Sequence, residues 1–251
     1  MNQIAKFAAL HIPGDPLILV NIWDAGSTRA VAAAGAKAIA TGSYGVAGAQ
    51  GMDDGENFPI DAAIANLEQI VAVTDLPVSI DMEAGYGDDP GAVEQSVARA
   101  KVAGACGINI EDRMPGENIL IPLSEQCKRL EAAANSGLFI NARCDVFRGA
   151  TDPSEFSALV AEVLKRGADY ARSGASGLFV PFLSDRASIG EICAKSELPV
   201  NILRSPDGPS HAELRDLGVA RISHGHQPWA AAMRWLKLQA GTVFGGGEPD
   251  Y

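Results

Sequence analysis

The chain has 251 residues, of which 31 are acidic and 20 basic, for a formal charge of −11. That balance argues against nucleic acid and anionic membranes as partners. Hydrophobic residues make up 47%, enough core for one α/β barrel or for two smaller domains. No apolar run is long enough to span a bilayer, and the N-terminal segment lacks a signal-peptide stretch, so a cytoplasmic protein is expected. Cys106, Cys127, Cys144 and Cys193 show no metal-ligand spacing and read as reduced thiols.

In chain order, eight short runs rich in Val, Ile and Leu predict strands at 17–22, 38–41, 78–81, 107–110, 138–143, 177–180, 200–203 and 220–223. Between them the pattern predicts helices at 26–35, 60–74, 90–103, 123–135, 153–173, 184–194, 209–217 and 228–240. Asp89-Pro90, Asp152-Pro153 and Pro209-Ser210 are helix-entry signals, and Gly35, Gly104, Gly137, Gly174 and Gly218 mark helix ends. A small-Gly-Ala step recurs at 34–36, 103–105 and 173–175, so the repeating unit is βα. Eight such units with near-continuous apolar strands match a single-domain α/β fold, the (β/α)8 TIM barrel, over residues 1–251, with a flexible tail from about 243. An open doubly wound sheet is the alternative, but no Gly-rich dinucleotide fingerprint follows the first strand.

A barrel places its site at the C-terminal strand ends. Those ends carry Asn21, Trp23 and Asp24; Thr41 and Ser43; Asp81 and Glu83; Glu111 and Asp112; Asn141, Arg143 and Asp145; Asn201 and Arg204; and His224. In the segment 78–87, VSIDMEAGYG, alternation puts Asp81 and Glu83 on one side of an extended chain. Two convergent carboxylates beside a glycine turn suit a hard divalent cation; an ordinary solvated turn is the competing explanation. His224 and His226 are poorly spaced for a metal pair. The long βα connections 42–59 and 111–122 are candidate lids.

These motifs together resemble the isocitrate lyase/phosphoenolpyruvate mutase superfamily. The likeness runs through Asn21-Ile22-Trp23-Asp24-Ala25, Thr41-Gly42-Ser43-Tyr44-Gly45, Gly51-Met52-Asp53-Asp54-Gly55, Asp81-Met82-Glu83-Ala84-Gly85-Tyr86-Gly87, Ile110-Glu111-Asp112-Arg113 and Asn141-Ala142-Arg143. The resemblance implies Mg²⁺ (or Mn²⁺) held directly by Asp81, with Glu83, Asp54 and Glu111 acting mainly through waters. It implies that the turn Thr41, Gly42, Ser43 and Tyr44 binds a 2-oxo-carboxylate and that Arg143 pairs with a substrate carboxylate. Arg143, Tyr44 and Glu111 become the candidate catalytic residues, and Trp23, Asp24, Asn118 and Asn201 further candidates for substrate contact. A homo-oligomer, dimer or tetramer, is also implied.

Departures from the family pattern narrow the chemistry. Where the isocitrate-type lyases carry Lys-Lys-Cys-Gly-His, this chain reads Arg113-Met114-Pro115-Gly116-Glu117-Asn118, with neither Lys nor Cys. The phosphonate-handling members carry a Lys in that loop and a His after the sixth strand, where Pro181 stands here; Asn118 is their one surviving match. The expected activity is therefore that of a Mg²⁺-dependent lyase cleaving or decarboxylating a small 2-oxo- or 2-hydroxy-carboxylate, oxaloacetate-like, through a stabilised enolate. The alternative is C–P chemistry of the phosphonopyruvate hydrolase or mutase type; a non-catalytic dicarboxylate sensor ranks third.

Overall fold

The computed structural model describes residues 2–117 and 119–251. Its strands are β1 (Leu17–Leu19), β2 (Ile39–Ala40), β3 (Val78–Asp81), β4 (Gly107–Glu111), β5 (Phe139–Arg143), β6 (Gly177–Val180), β7 (Val200–Leu203) and β8 (Arg221–Ser223). They pair in parallel and in chain order from β2 to β8, and β8 returns to β1. This is the predicted (β/α)8 barrel.

The seam between β1 and β2 closes through a single bridge, Ile22 to Thr41. There the Ile22 N–H donates to Ala40 O at 2.9 Å and the Gly42 N–H to Ile22 O at 3.2 Å. Asn21 locks the seam from inside. Its amide donates to Thr41 O at 2.8 Å, and its Oδ1 accepts from the backbone N–H groups of His224 and Gly225 at 2.9 and 2.8 Å. Side-chain bonds thus take over from the ladder beyond Leu19, which is why β1 is shorter than the apolar run 17–22.

The helices are α1 (Gln3–Ala9), α2 (Ala25–Ala33), α3 (Ser43–Ala49), α4 (Ile60–Val71), α5 (Pro90–Val102), α6 (Leu123–Ala134), α7 (Phe156–Arg172), α8 (Arg186–Lys195), α9 (His211–Asp216) and α10 (Gln227–Phe244). Capping chemistry sets several starts. Asp89 accepts from the Ala92 N–H with Pro90 opening α5, and Ser210 and Glu213 form a reciprocal box on α9. Two helices, α1 and α3, fall outside the predicted set. Helix α1 plugs the N-terminal end of the barrel, where Phe7 is fully buried and meets Phe139 edge-on at 5.4 Å. Helix α3 occupies the start of the predicted loop 42–59; its Gly/Ala-rich stretch has no apolar stripe. Gly48 lets it close on α10, since a Cβ there would lie 2.7 Å from the Trp229 ring.

The main apolar core lies between barrel and helices, around Ile64, Leu67, Val93, Val97, Ile108, Ile140, Leu178 and Ile222. The barrel axis, by contrast, holds polar side chains. Asn141 donates to the Oδ1 atoms of Asn109 (2.9 Å) and Asn201 (3.1 Å), Asn201 donates to Ser223 Oγ (3.2 Å), and Arg221 Nη2 reaches Asn109 Oδ1 (3.2 Å). Residues beyond α10 turn back along it: the Asp250 N–H donates to Gln239 Oε1 at 2.6 Å, and the Tyr251 ring lies 5.9 Å from that of Trp235. No helix among the described residues is long and apolar enough to cross a membrane.

The Asn21→Ala variant strips partners from the Thr41 carbonyl and from two backbone N–H groups at the seam. It is expected to lose about 2–4 kcal/mol of stability, the cost of leaving such buried groups unpaired. Urea unfolding of the two proteins measures the difference.

Candidate active site

Strand β3 ends at Asp81, and this carboxylate is tied at both ends. The Ser43 N–H donates to Asp81 Oδ2 at 3.1 Å, and the Asp81 N–H donates to Thr41 Oγ1 at 2.9 Å. The strand does not continue through Glu83, as alternation assumed. Met82 turns into the core, and Glu83 adopts the left-handed backbone region with φ 48°. That turn is held by Tyr86 of the same motif and by Glu56, which the sequence pattern did not single out. Glu56 N–H donates to Glu83 Oε2 at 2.5 Å, the Tyr86 hydroxyl donates to Glu83 Oε1 at 3.0 Å, and the Tyr86 N–H donates to Glu56 Oε1 at 2.8 Å. Glu56 and Tyr86 are also left-handed, at φ 59° and 50°.

The opposite wall is an ion-pair network at the ends of β4 and β5, which run in register with Glu111 opposite Arg143. Arg143 Nη1 lies 2.5 Å from Glu111 Oε2, and its Nε and Nη2 grip Asp145 at 2.6 and 2.8 Å. Asp145 also accepts from Arg113 Nε at 3.1 Å. Asp112 faces away from the mouth: it accepts from the Asp145 N–H, the Tyr170 hydroxyl and Arg166 at 2.8, 2.6 and 3.1 Å.

Two adjoining cavities separate these walls. One of about 300 Å³ is lined by Ser43, Tyr44, Asp54, Asp81, Arg143 and Arg148, together with Phe179, Phe182 and His226. The other, about 370 Å³, brings Asp54, Glu83, Glu111 and Glu117 together with Arg143 and Arg148. Burial and the acid-on-acid repulsion leave a clear electrostatic mark. Burial, then Asp54 and Asp81, push the Glu83 carboxyl up to about 7. Burial pushes Glu111 up to about 8 against the pull of Arg143, and burial with the Asp81 charge raises Asp54.

Asp54, Asp81, Glu83 and Glu111 line these adjoining cavities between them, with Thr41, Gly42, Ser43 and Tyr44 alongside. Among the described residues no three acidic, His or Cys side chains stand close enough together to be direct ligands of one metal. All-oxygen donors whose charges repel one another nevertheless fit a hard cation, bound directly by few of them and through water by the rest.

Three predicted substrate contacts need correction. Asp24 spends its carboxylate capping α2, accepting from the Ser27 N–H and hydroxyl at 2.6 and 2.7 Å. Trp23 packs in a small apolar cluster with Val46, Ala47, Phe58 and Ala63. Asn201 is buried in the polar column on the barrel axis, its amide consumed by Ile202 O, Arg221 O and Ser223. Asn118 lies outside the described residues. Arg148 and Phe182 line the first cavity without having been predicted, on irregular segments where only position relative to a strand end could have flagged them; His226, considered from sequence as one of a poorly spaced His pair, lines it too.

An eight-stranded parallel barrel with an acid-rich wall facing an arginine network across its C-terminal mouth defines the class. Residues 7–244 match the family model of phosphoenolpyruvate phosphomutase. The chain belongs to that family, within the phosphoenolpyruvate mutase/isocitrate lyase superfamily of lyases and mutases. It is similar to an uncharacterised Mycobacterium tuberculosis protein, at 36% identity over 231 residues covering 91% of this chain and 84% of that one. It is also similar to 2-methylisocitrate lyase of Escherichia coli, at 25% identity over 213 residues, 76% of this chain and 70% of the lyase. A Burkholderia cenocepacia structure provisionally named a phosphonomutase superimposes with TM-score 0.92 at 45% identity, over 98% of each chain.

The raised Glu83 carboxyl has a sign that can be tested on metal-free protein. Its folded value, about 7, exceeds its ordinary 4.5. The folded state thus holds the proton more tightly, and this contribution is complete below about pH 4.5 and lost as pH rises through 7. Glu83→Gln removes the titration, so its stability relative to wild type is expected to grow between pH 5 and 8, by up to about 3 kcal/mol. Parallel pH profiles of chemical unfolding in EDTA check it; a difference that stays flat contradicts it.

Proposed function

We propose that this protein is a Mg²⁺-dependent (or Mn²⁺-dependent) carbon–carbon lyase that cleaves or decarboxylates a small 2-oxo- or 2-hydroxy-carboxylate such as oxaloacetate. One observation carries the proposal: Asp81, oriented by the Ser43 N–H and by its own N–H bond to Thr41, faces Arg143 across a single small cavity. Asp81 would hold the cation directly, with Asp54, Glu83 and Glu111 holding its waters. When bound, the cation supplies Lewis-acid stabilisation of the negative charge that develops on a 2-oxo-carboxylate.

The chain's own residues supply binding and orientation. Glu111 and Asp145 fix the plane of the Arg143 guanidinium, which leaves the remaining N–H groups on its two terminal nitrogens for a substrate carboxylate. Tyr44, half-exposed with its ring 5.3 Å from that of His226, is the hydroxyl placed to move a proton at the mouth. The loop at 113–117 carries neither Lys nor Cys. That composition favours decarboxylation, which needs no strong protein base, over the proton-dependent cleavage of isocitrate-type substrates.

The cavity serves carboxylic acids, and the family implies assembly. Helix α10 leaves Trp235, Leu236, Leu238 and Phe244 exposed, an apolar face that supports a homo-oligomer. A monomeric mass by light scattering at micromolar concentration contradicts that part.

Purified protein with Mg²⁺ is expected to release pyruvate from oxaloacetate above the metal-only rate, with oxalate as an inhibitor. Asp81→Ala is expected to lower turnover at least about a thousandfold, the equivalent of several kcal/mol of lost charge stabilisation. Undiminished turnover in EDTA overturns the metal requirement. Pyruvate and phosphate from phosphonopyruvate, with oxaloacetate inert, replaces the C–C assignment by C–P chemistry. Thermal stabilisation by dicarboxylates with no turnover replaces it by a sensor.

A further inference from the structure

Arg148 follows β5 by one 3₁₀ turn (Asp145–Phe147), and its N–H closes that turn on Asp145 O at 2.9 Å. The guanidinium therefore projects from a fixed backbone, and it lines both cavities together with Arg143. The two arginines differ in their partners. Arg143 is held by carboxylates at 2.5–2.8 Å, and its side chain is 15% exposed. Arg148 is 46% exposed, and the carboxylate oxygen paired with it, Asp145 Oδ2, is 3.6 Å away. That same oxygen already accepts from Arg113 Nε at 3.1 Å and Arg143 Nη2 at 2.8 Å. Both lone-pair sites of Oδ2 are thus taken, and the Arg148 contact stays outside hydrogen-bond range.

Phe182 fixes where this cation points. Its ring centre is 5.3 Å from the Arg148 guanidinium carbon and 5.8 Å from that of Arg143, so it stands between two like charges. The residue holds φ 64°, a left-handed conformation that is costly for a bulky side chain, while remaining half-exposed beside the cavity. This cation–π contact engages the guanidinium through the ring face and leaves N–H groups to meet a ligand.

The first cavity thus carries both signs of charge: Asp54 and Asp81 line it together with Arg143 and Arg148, beside Phe179, Phe182 and His226. Glu117, the nearest acid of the loop after β4, lines the second cavity and not the first. We infer that Arg148 is a specificity residue that binds a second anionic group, carboxylate or phosphonate, at the end of the substrate remote from the 2-oxo-acid. This rests on the proposed lyase site for the inner end of the ligand and assigns the outer end.

The test compares ligands that share a skeleton and differ at the outer end: 2-oxobutyrate, oxaloacetate and phosphonopyruvate, with oxalate as a probe of the inner end alone. Affinity and KM are measured in Mg²⁺ for the wild type, Arg148→Gln and Arg148→Lys. Loss of one charge-assisted contact is expected to weaken the two dianions about 10- to 100-fold in Arg148→Gln. Oxalate and 2-oxobutyrate should change less than about twofold, and Arg148→Lys should fall between, since it keeps the charge and loses the planar edge. The dianion that suffers the larger loss identifies the outer group as carboxylate or phosphonate. Equal affinities for dianion and 2-oxobutyrate in the wild type, or unchanged discrimination in Arg148→Gln, overturns the assignment. Failure of Mg²⁺ and oxalate to bind the wild type instead removes the inner site, while an Arg148-dependent preference for dianions in the same titrations still upholds the outer one.

Discussion

Asp145 is the pivot on which the mouth of this barrel turns. Its side chain is fully buried, and an isolated carboxylate there would be prohibitively costly. Arg113 and Arg143 bond to it directly and Arg148 lies just outside bonding range, while the Asp145 N–H donates to Asp112, which pairs with Arg166 and accepts from the Tyr170 hydroxyl. One acid thereby spaces three guanidinia and links the ends of β4 and β5 to α7. The orientation of Arg143 follows from this network and is not left to a ligand. Removing one member of such a pair typically costs about 3–5 kcal/mol because the partner charge stays buried, so the wall is rigid before anything binds.

The barrel interior contributes a second, quieter constraint. Arg221 is 1% exposed, bonded to Asn109 and stacked near Phe7 of α1, with its guanidinium carbon 5.9 Å from the ring centre. Burial lowers its pKa to about 10, against the favourable pull of Asp81. The neighbouring His11 is held neutral, lowered to about 3 by burial and by the Arg221 charge. A positive charge on the axis thus lies beneath the carboxylates at the mouth. In a medium of low effective dielectric its field offsets part of their mutual repulsion over distances at which water would screen it. Helix α1 seals this arrangement from solvent on one side, and the seam held by Asn21 closes it on another.

The sequence displayed the architecture clearly because βα alternation is a strong periodic signal, and the strand ends then gave Asp81, Glu83, Glu111 and Arg143 a common address. It hid α3, whose Gly/Ala-rich run is indistinguishable from a loop until Trp229 packs on it. It misdirected Asn201, since a polar residue within an apolar strand looks like a ligand contact when it serves a hydrogen-bonded column inside the barrel. Asp24 shows the same ambiguity: a carboxylate after a strand is also where the next helix needs its cap. Arg148 gave no signal at all. It stands five residues beyond Arg143 on an irregular turn, and its relevance depends on a three-dimensional fact, the occupation of Asp145 Oδ2 by two other arginines.

Placing a cation at the outer end has consequences for the chemistry as well as for binding. In decarboxylation the outer carboxylate departs as CO2 and its negative charge passes to the enolate oxygen of the 2-oxo-acid, so a guanidinium gripping it tightly stabilises the ground state more than the transition state and slows the step. In cleavages that keep the outer anion intact, the same contact is uniform binding and lowers KM without penalty. Arg148 sits between these limits. Its half-exposed, solvent-screened charge caps the ground-state cost, and its competition with Arg113 and Arg143 for Asp145 keeps it free to relax as the outer charge departs. If oxaloacetate is decarboxylated here, the Arg148→Gln variant should therefore raise both KM and kcat. If the outer group survives the reaction, KM should rise and kcat should not increase. The direction of kcat, not the loss of affinity, distinguishes a leaving group from a handle.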